Sequence, residues 1–65
     1  MKVVKVIEIL RKLNEDGWQL VHQRGSHRQY KHPTKPGKVT VNGKSSDDIT
    51  GTLLKSIEKQ SGLVF

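Results

Sequence analysis

The chain has 65 residues and no cysteine, and its 12 Lys and Arg against 6 Asp and Glu give a formal net charge of +6 at pH 7. This length predicts one domain over residues 1–65 with a small core. The lack of cysteine excludes disulfides and thiolate zinc sites, and no apolar run approaches the roughly 20 residues of a membrane span. We expect a cytoplasmic protein without a signal peptide. A pI near 10.0 is typical of nucleic-acid-binding domains, although many small soluble proteins are also basic.

The first predicted element is an amphipathic helix from Val3 to Glu15. Apolar residues recur there at spacings of three and four, with charged residues between them. Asp16-Gly17 is expected to end this helix, because glycine readily takes the left-handed conformation that follows a helix terminus.

Three strands are expected next, since the hydrophobic period changes to two from Trp18 onwards. Gly25-Ser26 is typical of a tight hairpin turn, and it leads into a second strand from His27 to His32. A second turn over residues 33–37 precedes a third strand from Lys38 to Asn42.

A polar loop from Gly43 to Asp48 and a second helix complete the predicted elements. Thr50 is the expected N-cap of this helix, and Gly62 fits its C-terminal stop. The apolar residues that share one side of it are Leu53, Leu54 and Ile57. The elements predict an α+β fold of order α-β-β-β-α, with a three-stranded antiparallel sheet and both helices on one of its faces.

Alternation along the strands predicts which residues face away from the helices. Tyr30, Val39 and Val41 should face the helices, because they are the apolar residues of their strands. The opposite face, called the open face below, then collects polar and cationic residues: His27, Gln29, Lys31, Lys38 and Thr40. The first hairpin's register stays open, because a two-residue turn opposes Val21 to Tyr30 and a three-residue turn opposes Leu20 to Tyr30.

The three histidines suit neither a metal site nor a serine nucleophile. His22, His27 and His32 are spaced by five, which is expected to put neighbours on opposite sides of an extended strand. No acidic residue lies between residues 17 and 42, so a metal would lack its usual ligands. Ser26 and His27 are adjacent in a strand and point apart, and no carboxylate would orient the imidazole. We therefore expect no metal and no cofactor.

RNA cleavage requires less of the protein, because the substrate's own 2′-hydroxyl is the nucleophile. The protein must supply a proton acceptor or donor, a role that suits His27, and cations that stabilise charge on the phosphate. The nearby cations are Arg24, Arg28, Lys31 and Lys38. The alternative is that His27 is an exposed hairpin residue without a catalytic role. His22 and His32 are expected to be structural or peripheral.

Nearly the whole chain resembles the HicA family of toxins from bacterial and archaeal toxin–antitoxin pairs. The resemblance lies in the run DGWQLVHQRGSHRQYKHPTKPGKVTV and in DITGTLLKSIEKQSGL after it. Its specific parts, in order, are Gly17-Trp18, Gly25-Ser26-His27, His32-Pro33, Gly51-Thr52-Leu53 and Gln60-Ser61-Gly62-Leu63.

This resemblance implies a fold like a double-stranded-RNA-binding domain and an endoribonuclease that acts on mRNA. The family's catalytic histidine follows the Gly-Ser pair, a position that His27 occupies here. The resemblance also implies a HicB antitoxin that covers the toxin's active surface. One departure is Lys44, which stands about where many relatives carry a further histidine, and this change is expected to weaken the activity.

The sequence thus predicts a metal-independent endoribonuclease with His27 as its general acid–base. The residues expected to bind RNA are Arg24, Ser26, Arg28, Gln29, Lys31 and Lys38. Two alternatives stay open: a module that binds RNA without cutting it, and a subunit that uses the open face only for a protein partner.

Overall fold

A computed structural model describes residues 2–65, and it has the predicted α+β class. The two helices are α1 (Val6–Glu15) and α2 (Gly51–Ser61). The strands are β1 (Val3–Lys5), β2 (Gln19–Arg24), β3 (His27–Lys31), β4 (Lys38–Val41) and β5 (Asp48–Thr50). Strands β2, β3 and β4 form the predicted antiparallel meander, and β1 pairs with β5 in a separate two-stranded sheet. This arrangement is consistent with a double-stranded-RNA-binding-domain-like fold.

The prediction that the first helix begins at Val3 is wrong, because residues Val3–Lys5 form strand β1. The β-branched side chains at the start of the chain favour a strand once a partner is available, and β5 supplies it. Helix α1 begins at Val6, whose backbone N–H donates to the carbonyl of Asp47 at 2.9 Å. The predicted polar loop consequently stops before Asp48, the first residue of β5.

One hydrophobic core joins both helices to the inner face of the sheet. Its buried members are Val6, Ile9, Leu13, Trp18, Tyr30, Val39, Val41, Ile49, Leu54, Ile57 and Phe65. The predicted inward orientation of Tyr30, Val39 and Val41 is confirmed. Leu53, expected on the inner side of α2, is instead 49% exposed.

The hairpin between β2 and β3 combines both registers that the sequence left open. Next to the turn Arg24 pairs with His27, which leaves Gly25-Ser26 as a two-residue turn. Gly25 has φ 59°, as the first central position of a type II′ turn requires. Further along, Leu20 pairs with Tyr30 and Val21 has no partner, so a β-bulge shifts the register by one residue.

Candidate functional site

The pairing within the sheet determines which side chains share the open face. Residues directly opposite each other on neighbouring strands project to the same side. Because Tyr30 faces the core, its strand neighbours Gln29 and Lys31 face outward, and so does every residue paired with them. The open face therefore carries Gln19, His22, Arg24, His27, Gln29, Lys31, Lys38 and Thr40.

His27 lies on the open face at the start of β3, as predicted, and its side chain is exposed. The hydrogen bonds formed around this hairpin by the described residues use Gln23 and Arg28, and neither His27 nor His22 takes part in them. Both imidazoles are therefore available to a substrate.

His22 shares the open face with His27, so the expected separation of these two histidines is wrong. The spacing of five suggested opposite sides only because it treated the segment as one continuous strand. The chain reverses at Gly25-Ser26, and residues equally distant from this turn become partners. His22 pairs with Gln29 while His27 pairs with Arg24, which makes the two histidines diagonal neighbours. Counting outward from a two-residue turn at Gly25-Ser26, one of the two registers that the sequence leaves open, gives this arrangement.

The open face is cationic, because strands β2, β3 and β4 contain no acidic residue. Arg24 is exposed directly opposite His27. Lys31 and Lys38 are also opposite each other and exposed. Like charges directly opposite on a sheet are destabilising. A bound phosphate between these two lysines would relieve their repulsion.

Arg28 lies on the other side of the sheet from His27. It pairs with the buried Val41, and its Nη1 donates to the carbonyl of Gly43 at 2.7 Å and to that of Ser26 at 3.4 Å. These bonds join the turn before His27 to the loop after β4. A contact between Arg28 and RNA stays a prediction, and the geometry gives this residue a structural task instead.

His32 has a structural role, which is one of the two roles that the sequence predicts for it. Its Nδ1 accepts hydrogen bonds from the backbone N–H groups of Thr34, at 3.1 Å, and Lys35, at 3.2 Å. With Nδ1 acting as an acceptor, Nε2 carries the hydrogen and donates to the carbonyl of Asp16 at 2.7 Å. The ring also packs edge-on against Trp18, with 5.2 Å between ring centroids.

The titratable groups with displaced pKa values lie away from the open face. A hydrogen bond from Lys35 lowers the pKa of Asp16, and Trp18 Nε1 also donates to this carboxylate, at 3.1 Å. Burial raises the pKa of Tyr30. The hydrogen bond to Glu8 raises the pKa of Arg11.

The open face is a surface rather than a pocket. One cleft of about 250 Å³ is lined by Lys12, Glu15, Asp16, Leu63 and Val64. Another, of about 300 Å³, is lined by Lys2, Gly51, Leu54, Lys55 and Glu58, and neither cleft includes an open-face residue. Within residues 2–65 no three His, Asp or Glu side chains cluster as metal ligands. An exposed basic sheet suits an extended polyanion better than a small molecule.

The fold and this surface define a small basic α+β domain with a cationic, histidine-bearing sheet face. The family model described as the HicA toxin of bacterial toxin-antitoxin matches residues 6–63, and the chain belongs to this family. It is therefore the toxin of a toxin–antitoxin pair, and an antitoxin is its implied partner.

No curated protein matches the chain. Across residues 2–65, no helix has the length and apolar character to cross a membrane.

Proposed function

We propose that this toxin is a metal-independent endoribonuclease that cleaves mRNA in the cytoplasm, with His27 as a general acid–base. The observation that carries the proposal is the imidazole of His27, which is exposed and has no hydrogen-bond partner within residues 2–65, on a sheet face whose charged residues are all cations. Membership of the HicA toxin family adds the expectation of a catalytic histidine after Gly25-Ser26.

The chemistry follows from the arrangement around His27. An imidazole titrates near neutrality, so it can take a proton from a 2′-hydroxyl or give one to a leaving oxygen. Arg24 stands directly across from His27, where its guanidinium can bind the scissile phosphate through two parallel hydrogen bonds. Lys31 and Lys38 would bind the neighbouring phosphates of the strand. Gln29 and Ser26 would position the phosphate beside the imidazole.

The proposed partner is a HicB-like antitoxin that covers the open face and blocks RNA from His27. A surface with three exposed cations and no carboxylate would attract acidic side chains from such a protein. Complex formation is then expected to abolish cleavage without changing the toxin's fold.

The test compares purified wild type with His27→Ala on a long single-stranded RNA in EDTA. Wild type should cleave and His27→Ala should not, although both should bind the RNA with a similarly steep dependence on salt. The matched control is Asn14→Ala, which changes an exposed residue of α1 away from the open face and should cleave like wild type. RNA binding without cleavage by any of the three proteins would favour the alternative, a binding module of the same fold.

A further inference from the structure

We infer that His22 is a second catalytic residue, and that His22 and His27 divide the two proton transfers of RNA cleavage between them. This inference rests on the proposed function. It adds a residue that was expected to be structural or peripheral.

The cross-strand pairing places the imidazoles of His22 and His27 next to each other on the open face. His22 is opposite Gln29, and two residues further towards the turn Arg24 is opposite His27. These four side chains occupy the corners of one patch on the open face, with the histidines on one diagonal and Arg24 and Gln29 on the other. Diagonal positions on a sheet are about 7–8 Å apart, so two imidazoles can reach opposite sides of one phosphate group.

The bulge at Val21 makes this arrangement compatible with the core. Leu20 pairs with the buried Tyr30 and so lies on the same side of the sheet as Tyr30, although it is itself 47% exposed. In a regular strand, His22 would lie on the same side as Leu20, since they are two residues apart. The unpaired Val21 separates them, so Leu20 lies on the side of Tyr30 while His22 and Arg24 lie on the open face.

The surroundings favour an imidazole pair that acts on an anion. The other charged residues on this face are Arg24, Lys31 and Lys38, and its neutral polar residues are Gln19, Gln29 and Thr40. No carboxylate from β2, β3 or β4 competes with a phosphate for these groups. Both histidines are exposed, so neither needs to give up a hydrogen bond within the described chain in order to act.

The reaction balances with one neutral and one protonated imidazole. The neutral ring takes the proton of the 2′-hydroxyl as the bond between O2′ and phosphorus forms. The bond between phosphorus and O5′ breaks, and the protonated ring gives its proton to O5′. The products are a 2′,3′-cyclic phosphate and a 5′-hydroxyl, and no metal or further reactant is needed. Each positioned proton transfer contributes about 10²–10⁴-fold to the rate.

The experiment uses a short RNA that contains one cleavage site mapped with wild-type protein. Single-turnover rates are measured across pH for wild type, His22→Ala, His27→Ala and the control Asn14→Ala, with circular dichroism to verify folding. We expect losses of about 10²–10⁴-fold for each histidine variant and none for the control. The wild-type pH profile should be bell-shaped, and each single histidine variant should lose one limb of the bell.

A second substrate carries sulfur in place of O5′ at the same site, because a thiolate departs without protonation. The variant that lacks the general acid should recover on this substrate, whereas the variant that lacks the general base should stay slow. A bell-shaped profile and near-wild-type rate for His22→Ala would overturn the inference, and so would full activity of His22→Arg, which keeps a positive charge but does not exchange its proton. In both cases a slow His27→Ala would leave the proposed function standing. No cleavage by wild type would overturn both.

Discussion

Two regions of this protein contain histidine in opposite circumstances. One region, called the corner below, lies after β3, where residues 32–35 meet residues 16–18. There His32 has both ring nitrogens hydrogen-bonded to backbone groups and its ring packed against Trp18. On the open face, His22 and His27 are exposed and form no such bonds with the residues described. The comparison shows that residue type does not decide a role. A histidine whose nitrogens are occupied holds the chain together, whereas one with free nitrogens can exchange protons with a substrate.

The charged groups of the two regions also differ in whether they have partners within the fold. The corner contains Asp16, whose carboxylate binds Lys35 and accepts from the indole of Trp18, so its charges are compensated within the fold. The open face has cations without a carboxylate on the same three strands. Its charges are therefore left for an anionic ligand, which is what a surface that binds RNA requires.

The largest expected effect on stability is that of His32→Ala. The change removes the acceptor for two backbone N–H groups and the ring that packs on Trp18, so we expect a loss of about 2 kcal/mol in the free energy of unfolding. A domain of this size has a total of only roughly 3–10 kcal/mol. Urea unfolding measures the loss. The control His27→Ala should stay within about 0.5 kcal/mol of wild type, and equal losses for both variants would contradict the comparison.

A smaller loss of stability is expected from Gly17→Ala, which tests the contact of His32 with the chain segment after α1. Gly17 has φ 98°, and an added Cβ would lie 3.0 Å from His32 Nε2. Backbone strain and this contact should together cost more than about 1 kcal/mol. Gly25→Ala at the open-face hairpin is the matched control, since Gly25 has φ 59° and no atom within 4 Å of an added Cβ. An equal cost for the two variants would mean that the contact with His32 is unimportant.

The pH dependence of folding should report on the corner. The pKa of Asp16 is lowered in the folded protein by the hydrogen bond from Lys35, so the ionised carboxylate stabilises the fold above its unfolded pKa of about 3.9. This contribution is lost as the pH falls through the folded value. Urea unfolding between pH 2 and 6 should therefore show a steeper loss for wild type than for Asp16→Asn. Lys35→Met, which keeps the carboxylate but removes its donor, should behave like Asp16→Asn.

The sequence was sufficient for the features that local chemistry determines. Gly17, Gly25 and Gly62 have the positive φ that their predicted helix ends and turn require. The alternation of Tyr30, Val39 and Val41 placed His27 on the open face correctly. These positions depend on local backbone conformations and on the period of a strand, and a few neighbouring residues are enough to predict both features.

Features that depend on distant partners were not predictable in the same way. Strand β1 exists because β5 pairs with it from more than forty residues away, whereas the local pattern around Val3 and Val4 predicts a helical turn. The bulge at Val21 shifts the pairing so that Leu20 lies opposite Tyr30, and no glycine or other turn residue marks it in the sequence. The position of His22 beside His27 was predictable from the two-residue turn, but only by pairing residues across it.

The measurement that tests the account most directly is an NMR titration of the wild-type toxin with a 2′-O-methyl RNA. Blocking the 2′-hydroxyl removes the nucleophile, so the complex persists without cleavage. We predict that the largest amide and imidazole shifts fall on the open face, at His22, His27, Gln29 and Lys31, while the corner around His32 stays unchanged. Shifts confined to the helices and the corner would contradict the claim that RNA binds where the histidines are free.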